Sequence, residues 1–369
     1  LKFICDKKDL ASALKIATRA LSNKNSMINP ILDCVLIKTN GDSEIELVCN
    51  DLELAISTTA PADIIEHGCV ALDGKLFANI VNGFSNGDVK VDCDEEKLNT
   101  VIKSGKAKFN IPGKSADDFV GLPKEKTGVH FEVPVYEFCR AIAGTNFCTT
   151  QDGSMRMMEG ECITFAGDTM TVTALDGHRI GLRRIYLDSN EGQNAKVIIP
   201  VKSLNEVAKI ADGDTMDVSI ETGNVIFRFG NTIVNTRVIE GEYFDVNKIA
   251  KADTPIKVTA NRKDLLDAIG RSTAIVEDKL KKPLVVTVDD KELRLDAVTA
   301  LGSTSDAIDI EKTGDDIRIG FNPRFLMDAL KAIDDDVVTL GMMNHKSPTI
   351  IEDEEKTYMY VVLPVNINN

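Results

Sequence analysis

The chain has 369 residues, 43% hydrophobic and 27% charged, which is more than one ordinary core organises and argues against a disordered or fibrous chain. Its formal charge of -15 excludes a protein that grips polyphosphate over its whole surface, while leaving local basic faces open. No apolar run approaches membrane-spanning length, so no membrane partner is expected.

LKFICDKKDLASALKIATRAL (1–21) reads as an extended segment and then an amphipathic helix, with Leu10, Leu14 and Leu21 spaced for one buried face. Strand-like runs follow, EIELVCNDLELAIS (44–57) among them, before an apolar strand leads into a second amphipathic helix in VALDGKLFANIVNGF (70–84). After the turn-rich GLPKEKTG (121–128) the same order returns, with a helix in VHFEVPVYEFCRAIAGT (Phe138, Ile142) and a second in VIIPVKSLNEVAKIADG, then TMDVSIETGNVIFRFG as strands. AKADTP (250–255) precedes a third round: a helix in IKVTANRKDLLDAIGRST (Leu265, Leu266, Ile269), another in IRIGFNPRFLMDALKAIDD, and the strand-like DDVVTLGMM. Lys75, Lys202 and Arg324 occupy matching places 127 and 122 residues apart, a period of repeated domains and not of solenoid units. The expectation is an α+β chain dominated by antiparallel sheet, with domains at 1–124, 125–251 and 252–369.

The eight cysteines (Cys5, Cys34, Cys49, Cys69, Cys93, Cys139, Cys148 and Cys162) form no CxxC pair and read as reduced packing residues. With four histidines and no HExxH, no metal is expected. Phosphate loops of the GxxxxGK[ST] type, GxGxxG turns and clustered metal-binding carboxylates are all missing, so no cofactor is expected and any nucleotide-driven step belongs to another protein. Asp176-Gly177-His178-Arg179 reads as a structural turn: no Ser or Cys nucleophile accompanies His178, and no catalytic residue is assigned. The opening LKFICDKKDL carries no charged-then-apolar leader, from which a cytoplasmic address is expected.

Opposite the apolar helix faces lie Lys15, Arg19, Lys75, Arg140, Lys202, Lys209, Arg262, Lys263, Arg271, Arg324 and Lys331. Asp9, Glu137, Glu206, Asp267 and Asp328 share those helices, so ordinary solvated faces are the alternative reading.

PILDCVLIKT (30–39) with DLELAIS (51–57), TALDGHRIGLRR (173–184) and YVVLPVNI (360–367) occur in order within the repeats. In these segments the chain resembles the β subunit, or sliding clamp, of bacterial DNA polymerase III, and the resemblance runs from Lys2 to Ile367. It implies three repeated DNA-clamp domains, each with two helices packed on antiparallel sheets, and a head-to-tail homodimer assembling into a closed ring. The implied function is non-catalytic: encircling double-stranded DNA without sequence preference and tethering the DNA polymerase catalytic subunit, the clamp loader and other proteins through short clamp-binding peptides.

On matching positions the resemblance implies a DNA-facing set of Lys24, Lys75, Arg140, Arg156, Lys202, Lys209, Arg271, Arg324 and Lys331. A hydrophobic peptide cleft would draw on Met158, Leu175, Gly177, His178, Arg179, Ile180, Phe244, Lys248, Ile249 and Pro348, together with Val361, Val362, Leu363, Pro364 and Val365. For residues 361–363 the alternative is plain sheet core, although Pro364 favours a strand end. The dimer interface would use Phe109 and Ile111 on an edge strand against Ala274 and Ile275, for which ordinary domain core is again the alternative. The chain departs from the family pattern at Tyr243-Phe244-Asp245, where Pro commonly stands at the middle position, and at Asn366, where a basic residue is usual. Two rivals remain: an enzyme of DNA or nucleotide metabolism, and a scaffold that gathers peptides without encircling DNA.

Overall fold

The computed structural model describes residues 1–21, 29–94, 96–122, 128–150, 152–153, 155–188, 193–246, 249, 253–274 and 283–367. Six α-helices of nine or more residues lie among them: α1 (Lys7–Ala17), α2 (Gly74–Gly83), α3 (Val135–Ala143), α4 (Val201–Ile210), α5 (Arg262–Ser272) and α6 (Pro323–Lys331). Four begin on a short polar cap. Asp6, Asp73, Asn261 and Asn322 accept the backbone N–H groups of Lys8 (2.7 Å), Leu76 (2.8 Å), Asp264 (3.1 Å) and Arg324 (3.1 Å), each cap contributing about 1 kcal/mol. No helix among the described residues is long and apolar enough to cross a membrane.

The chain divides into two compact units, Leu1–Val135 with Glu206–Val238, and Tyr136–Asn205 with Ile239–Asn369. The division passes through the middle repeat, inside α3 and α4, so compactness does not follow the three sequence repeats. Sheet pairing explains why.

In the first unit an eight-stranded antiparallel sheet runs Val129–Pro134, Thr215–Glu221, Asn224–Phe229, Thr232–Arg237, Leu54–Pro61, Glu44–Asn50, Cys34–Asn40, Cys69–Asp73. Four strands of the middle repeat thus continue into four of the first, joined where Val234 lies opposite Ile56. Beside it stands a five-stranded sheet, Asp63–Glu66, Lys2–Asp6, Asp88–Asp94, Asn99–Ser104, Ala107–Pro112, which leaves the last of these as an edge. Helix α1 buries Leu10, Ala13, Leu14 and Ala17, packing on α2 and on strands 44–50 and 54–61.

The expected run EIELVCNDLELAIS is two strands, because Asn50 and Asp51 turn the chain between them. Asn50 Oδ1 accepts Leu52 N–H (2.7 Å) and Asp51 Oδ1 accepts Leu54 N–H (2.7 Å), with Leu52 held at φ +76°.

The second unit repeats the scheme. Its nine-stranded sheet runs Ala195–Pro200, Gly160–Ala166, Thr169–Leu175, Arg179–Tyr186, Tyr358–Val362, Thr349–Glu352, Val337–Met342, Ile256–Asn261, Glu311–Thr313. Here middle-repeat strands continue into third-repeat strands. A four-stranded sheet, Gly302–Asp309, Glu292–Thr299, Leu284–Val288, Ile317–Phe321, leaves 302–309 as an edge. Helices α5 and α6 pack on each other, and α5 also packs on strands 292–299 and 302–309.

Six of the eight cysteines are buried, and desolvation pushes the Cys5 thiol up to about 12, which keeps it protonated and unreactive.

Candidate functional site

The turn between strands 169–175 and 179–186 is organised by one carboxylate. Asp176 Oδ1 accepts the backbone N–H of His178 (2.9 Å) and of Arg179 (3.1 Å), and Gly177 takes φ +84°, a conformation that costs glycine nothing. Arg179 then reaches back: its Nε donates to Asp176 Oδ2 (2.9 Å) and its Nη1 to Asp328 Oδ2 on α6 (2.7 Å), while Nη2 donates to the Phe147 carbonyl. The guanidinium also lies over the rings of Phe325 (4.4 Å) and Phe147 (5.4 Å). Burial works against its charge, but Asp328 and Asp176 outweigh this and hold the pKa above the ordinary arginine value. The side chain is 8% exposed. The donors of Arg179 are thus spent on the fold, and they fix the loop expected to border the cleft. His178 remains exposed, its ring stacked 6.0 Å from that of Phe325.

Strand 179–186 pairs with strand 358–362, Ile180 opposite Val361 and Arg179 opposite Val362, and Leu363 N–H donates to the His178 carbonyl (2.9 Å). The two segments named from sequence are thus hydrogen-bonded neighbours. Leu175, Ile180 and Val361 share one apolar cluster with Tyr243, Val246 and Met359, and Met158 and Ile249 pack against it half-buried. Val362 does not belong to it. Strand side chains alternate, so Val362 points with Tyr358 and Tyr360 into the third-repeat core and is 1% exposed. For this residue the alternative of sheet core is what the structure has.

Of the other residues expected in the cleft, Leu363, Val365 and Phe244 are exposed, the last 50%, and Pro348 and Pro364 are half-buried. Lys248 lies outside the described residues. The sequence reading missed Phe325, Phe147, Met157 and Tyr243. Tyr243 Oη donates to the Gly160 carbonyl (3.3 Å) beneath the cluster.

Next to that cluster Glu161 is fully buried, and neither carboxylate oxygen has a hydrogen-bond partner among the described residues. The nearby Thr145 hydroxyl donates instead to the Ala141 carbonyl (2.8 Å). Desolvation pushes the Glu161 pKa well above the usual carboxylate range, with Thr145 opposing it, and so favours the neutral form.

Against known proteins, residues 1–123, 132–245 and 248–366 match the N-terminal, central and C-terminal domains of the DNA polymerase III beta subunit. A crystal structure of a chain from Eubacterium rectale assigned to the DNA polymerase III beta subunit is 37% identical, with TM-score 0.95 and 100% of both chains covered. The chain belongs to the DNA polymerase III beta-subunit family. A "Beta sliding clamp" of Staphylococcus epidermidis is 27% identical over 99% of both chains. The Bacillus subtilis DNA polymerase sliding clamp, 24% identical, has the same fold with TM-score 0.94 over 99% of each chain.

In this beta-subunit chain Lys75, Lys202 and Arg324 are each the second residue of the second helix of their repeat, and all three are exposed. Lys75, Lys202, Lys331 and Arg156 have no ion pair among the described residues. The others are engaged. Arg140 donates to Asp334 and lies 3.6 Å from Glu137, Lys209 sits 2.7 Å from Glu206, Arg271 is 2.7 Å from Asp306, and Arg324 is 3.9 Å from Asp328. Lys24 lies outside the described residues.

The edge strand 107–112 of the beta-subunit chain carries Phe109, 41% exposed and edge-on to Phe84 (5.7 Å). Ile111, on the same strand, is only 6% exposed because it sits opposite the fully buried Thr100. Within the single chain Ile111 is therefore covered by its own domain, on the same edge strand as Phe109. Ala274 is exposed, and Ile275 lies outside the described residues.

Proposed function

We propose that two copies of this chain join head to tail into a closed ring around duplex DNA, and that the cleft beside residues 175–180 and 361–365 holds short peptides of polymerases and other replication proteins. The chain is a sliding clamp, a processivity factor of DNA replication. Its role is tethering, with no catalytic residues, and an exposed basic residue at the same helical position in each repeat suits sequence-independent phosphate contacts. A cytoplasmic location, a separate clamp loader that opens the ring, and domain limits at 1–124, 125–251 and 252–369 belong to the same reading.

One observation carries the ring. Twice within the chain, a strand of one repeat pairs antiparallel with a strand of the next: 54–61 with 232–237, and 179–186 with 358–362. In the repeat scheme the counterparts left over are 302–309 in the third repeat and 107–112 in the first, both sheet edges. Pairing 302–309 of one copy with 107–112 of another would use the same joint a third time and close a two-fold assembly. Phe109 would be covered by such a joint.

The test is retention on nicked circular DNA followed by cutting the circle. A ring stays on the circle and is lost from the linear form, whereas equal retention on both would overturn topological tethering. Sedimentation at micromolar concentration is expected to give twice the chain mass, and a persistent monomer would overturn the dimer.

A further inference from the structure

Strand 317–321, the turn at residues 344–347 and the segment 364–367 bound a cavity of about 600 Å³. Arg318, His345 and Lys346 line it together with Pro364, Val365 and Asn366, and no carboxylate side chain does. Arg318, His345 and Lys346 are all exposed, and none forms an ion pair with a described residue. A second cavity of the same unit, about 490 Å³, is lined by Lys257, Lys312 and Lys356 but also by the carboxylates of Glu311, Glu352, Asp353 and Glu354, so it carries no uncompensated positive charge.

The walls of the uncompensated cavity are built. Val365 N–H donates to the Gly320 carbonyl (2.8 Å), and a Cβ at Gly320 would stand 2.3 Å from Ile367 Cγ2 and 2.7 Å from the Val365 carbonyl oxygen. Only glycine lets the segment lie this close to the strand. Across the turn, Asn344 Oδ1 accepts the N–H groups of Lys346 (2.9 Å) and Ser347 (3.1 Å), fixing the backbone that presents His345 and Lys346.

We propose that this cavity is a carboxylate-binding extension of the partner cleft, in which Asp or Glu side chains flanking the apolar anchors of a partner peptide seat against Arg318, His345 and Lys346. The inference rests on the reading of the neighbouring cleft as a peptide site. Pro364 and Val365 line the cavity and follow Leu363 directly in the chain, and Lys346 is two residues from Pro348. An extended peptide advances about 3.3 Å per residue, and the segment from Leu363 to Val365 leads in sequence directly into the cavity, so the flank next to an anchor on Leu363 is the part expected to meet Arg318 and Lys346. Nucleic-acid phosphates would satisfy the charge but bring no apolar side chain to Pro364 and Val365, which favours an acidic peptide.

The experiment uses the full chain and three fluorescein-labelled peptides sharing Gln, Leu and Phe anchors, flanked on either side by Asp-Asp, Asn-Asn or Lys-Lys, read by fluorescence polarisation. The Asp-flanked peptide is expected to bind about three- to thirtyfold more tightly than the Asn-flanked one at low salt, as one or two exposed ion pairs allow. The Lys-flanked peptide is expected to be weakest, and the spread to shrink as salt is raised. In R318Q/K346Q the three peptides are expected to bind alike. Equal affinities in the parent would overturn the proposal while leaving the cleft reading intact; no binding of any peptide would remove the cleft reading and this inference with it. Retention of the Asp preference in the folded double variant would also overturn it. So would displacement of the Asp-flanked peptide by a short single-stranded oligonucleotide from the parent but not from the variant, which would assign the cations to nucleic acid.

Discussion

Around Asp176 the second unit holds one arginine between two carboxylates and two phenyl rings, while on the helices Lys75 and Lys202 are exposed with no carboxylate paired to them among the described residues. Both regions carry positive charge named from the sequence as functional, yet the charge does different work. Arg179 is consumed by the fold, where it sets the loop against which an apolar ligand can lie. Lys75 and Lys202 contribute little to the fold and remain free to meet a ligand whose position is not fixed. A cleft that must recognise a peptide needs rigid walls, whereas a surface past which DNA moves needs weak, replaceable contacts.

Breaking the rigid side of this contrast should have the largest effect. Arg179→Met strands the Asp176 carboxylate in a mostly buried site and leaves Asp328 with only Arg324 at 3.9 Å, a change expected to cost about 3 kcal/mol of stability. Urea unfolding followed by circular dichroism measures it. A loss under about 1 kcal/mol would mean that the network is incidental to the loop.

The next test keeps the scaffold and strips the walls. Met158→Ala with Pro364→Ala should weaken an anchor peptide about tenfold to a thousandfold, each apolar contact contributing about 1–2 kcal/mol. Fluorescence polarisation reads the affinity, with circular dichroism and sedimentation checking that the variant is folded and unchanged in mass. Undiminished affinity would place the partners elsewhere.

Glu161 sharpens the comparison from beneath the cleft. Its folded pKa is raised above the unfolded value of about 4.5, so folding favours the protonated form, and the parent loses stability as pH rises from that value toward the folded pKa. The slope is at most about 1.4 kcal/mol per pH unit. Glu161→Gln removes the titration, so the variant's advantage over the parent should widen from pH 5 to pH 7. A gap that stays constant with pH would show that the carboxyl is ionised or solvated in the folded protein.

The smallest effects belong to the helices. Charge reversal at Lys75, Lys202 or Arg324 should each lower DNA association slightly and reduce its salt dependence by about one phosphate contact, with the chain mass in sedimentation unchanged. Unaltered DNA association in the triple reversal at low salt would remove these residues from the DNA-facing set.

How far each region could be read in advance follows from the same contrast. Helical periodicity and the recurrence of Lys75, Lys202 and Arg324 made the three repeats legible, because those signals are local. The period-2 alternation of strand 358–362 was equally local, but Val361 and Val362 were carried into the cleft together, and only the pairing register separates them. The partners of Arg179 were not legible at all: Asp328 lies 149 residues away, and nothing near Asp328 marks it as the residue that turns a binding candidate into a support. Phe109 and Ile111 could not be told apart for another reason. Both point to one side of their strand, and depth beneath the sheet margin, which no sequence pattern encodes, decides which of them is covered.

Strand 358–362 faces two ways, with Met359 and Val361 in the cleft cluster and Tyr358, Tyr360 and Val362 in the core of the third repeat. Any ligand that steadies the first set must steady the second, since five residues of one backbone cannot fray on one side only. Occupancy of the cleft should therefore slow hydrogen–deuterium exchange at the amides of Tyr358 and Tyr360, and raise the melting temperature in proportion to the logarithm of ligand concentration. In this sense the strand is a reporter as well as a wall: compounds that fill the cleft can be found by the heat resistance they confer, before any polymerase is added to the assay.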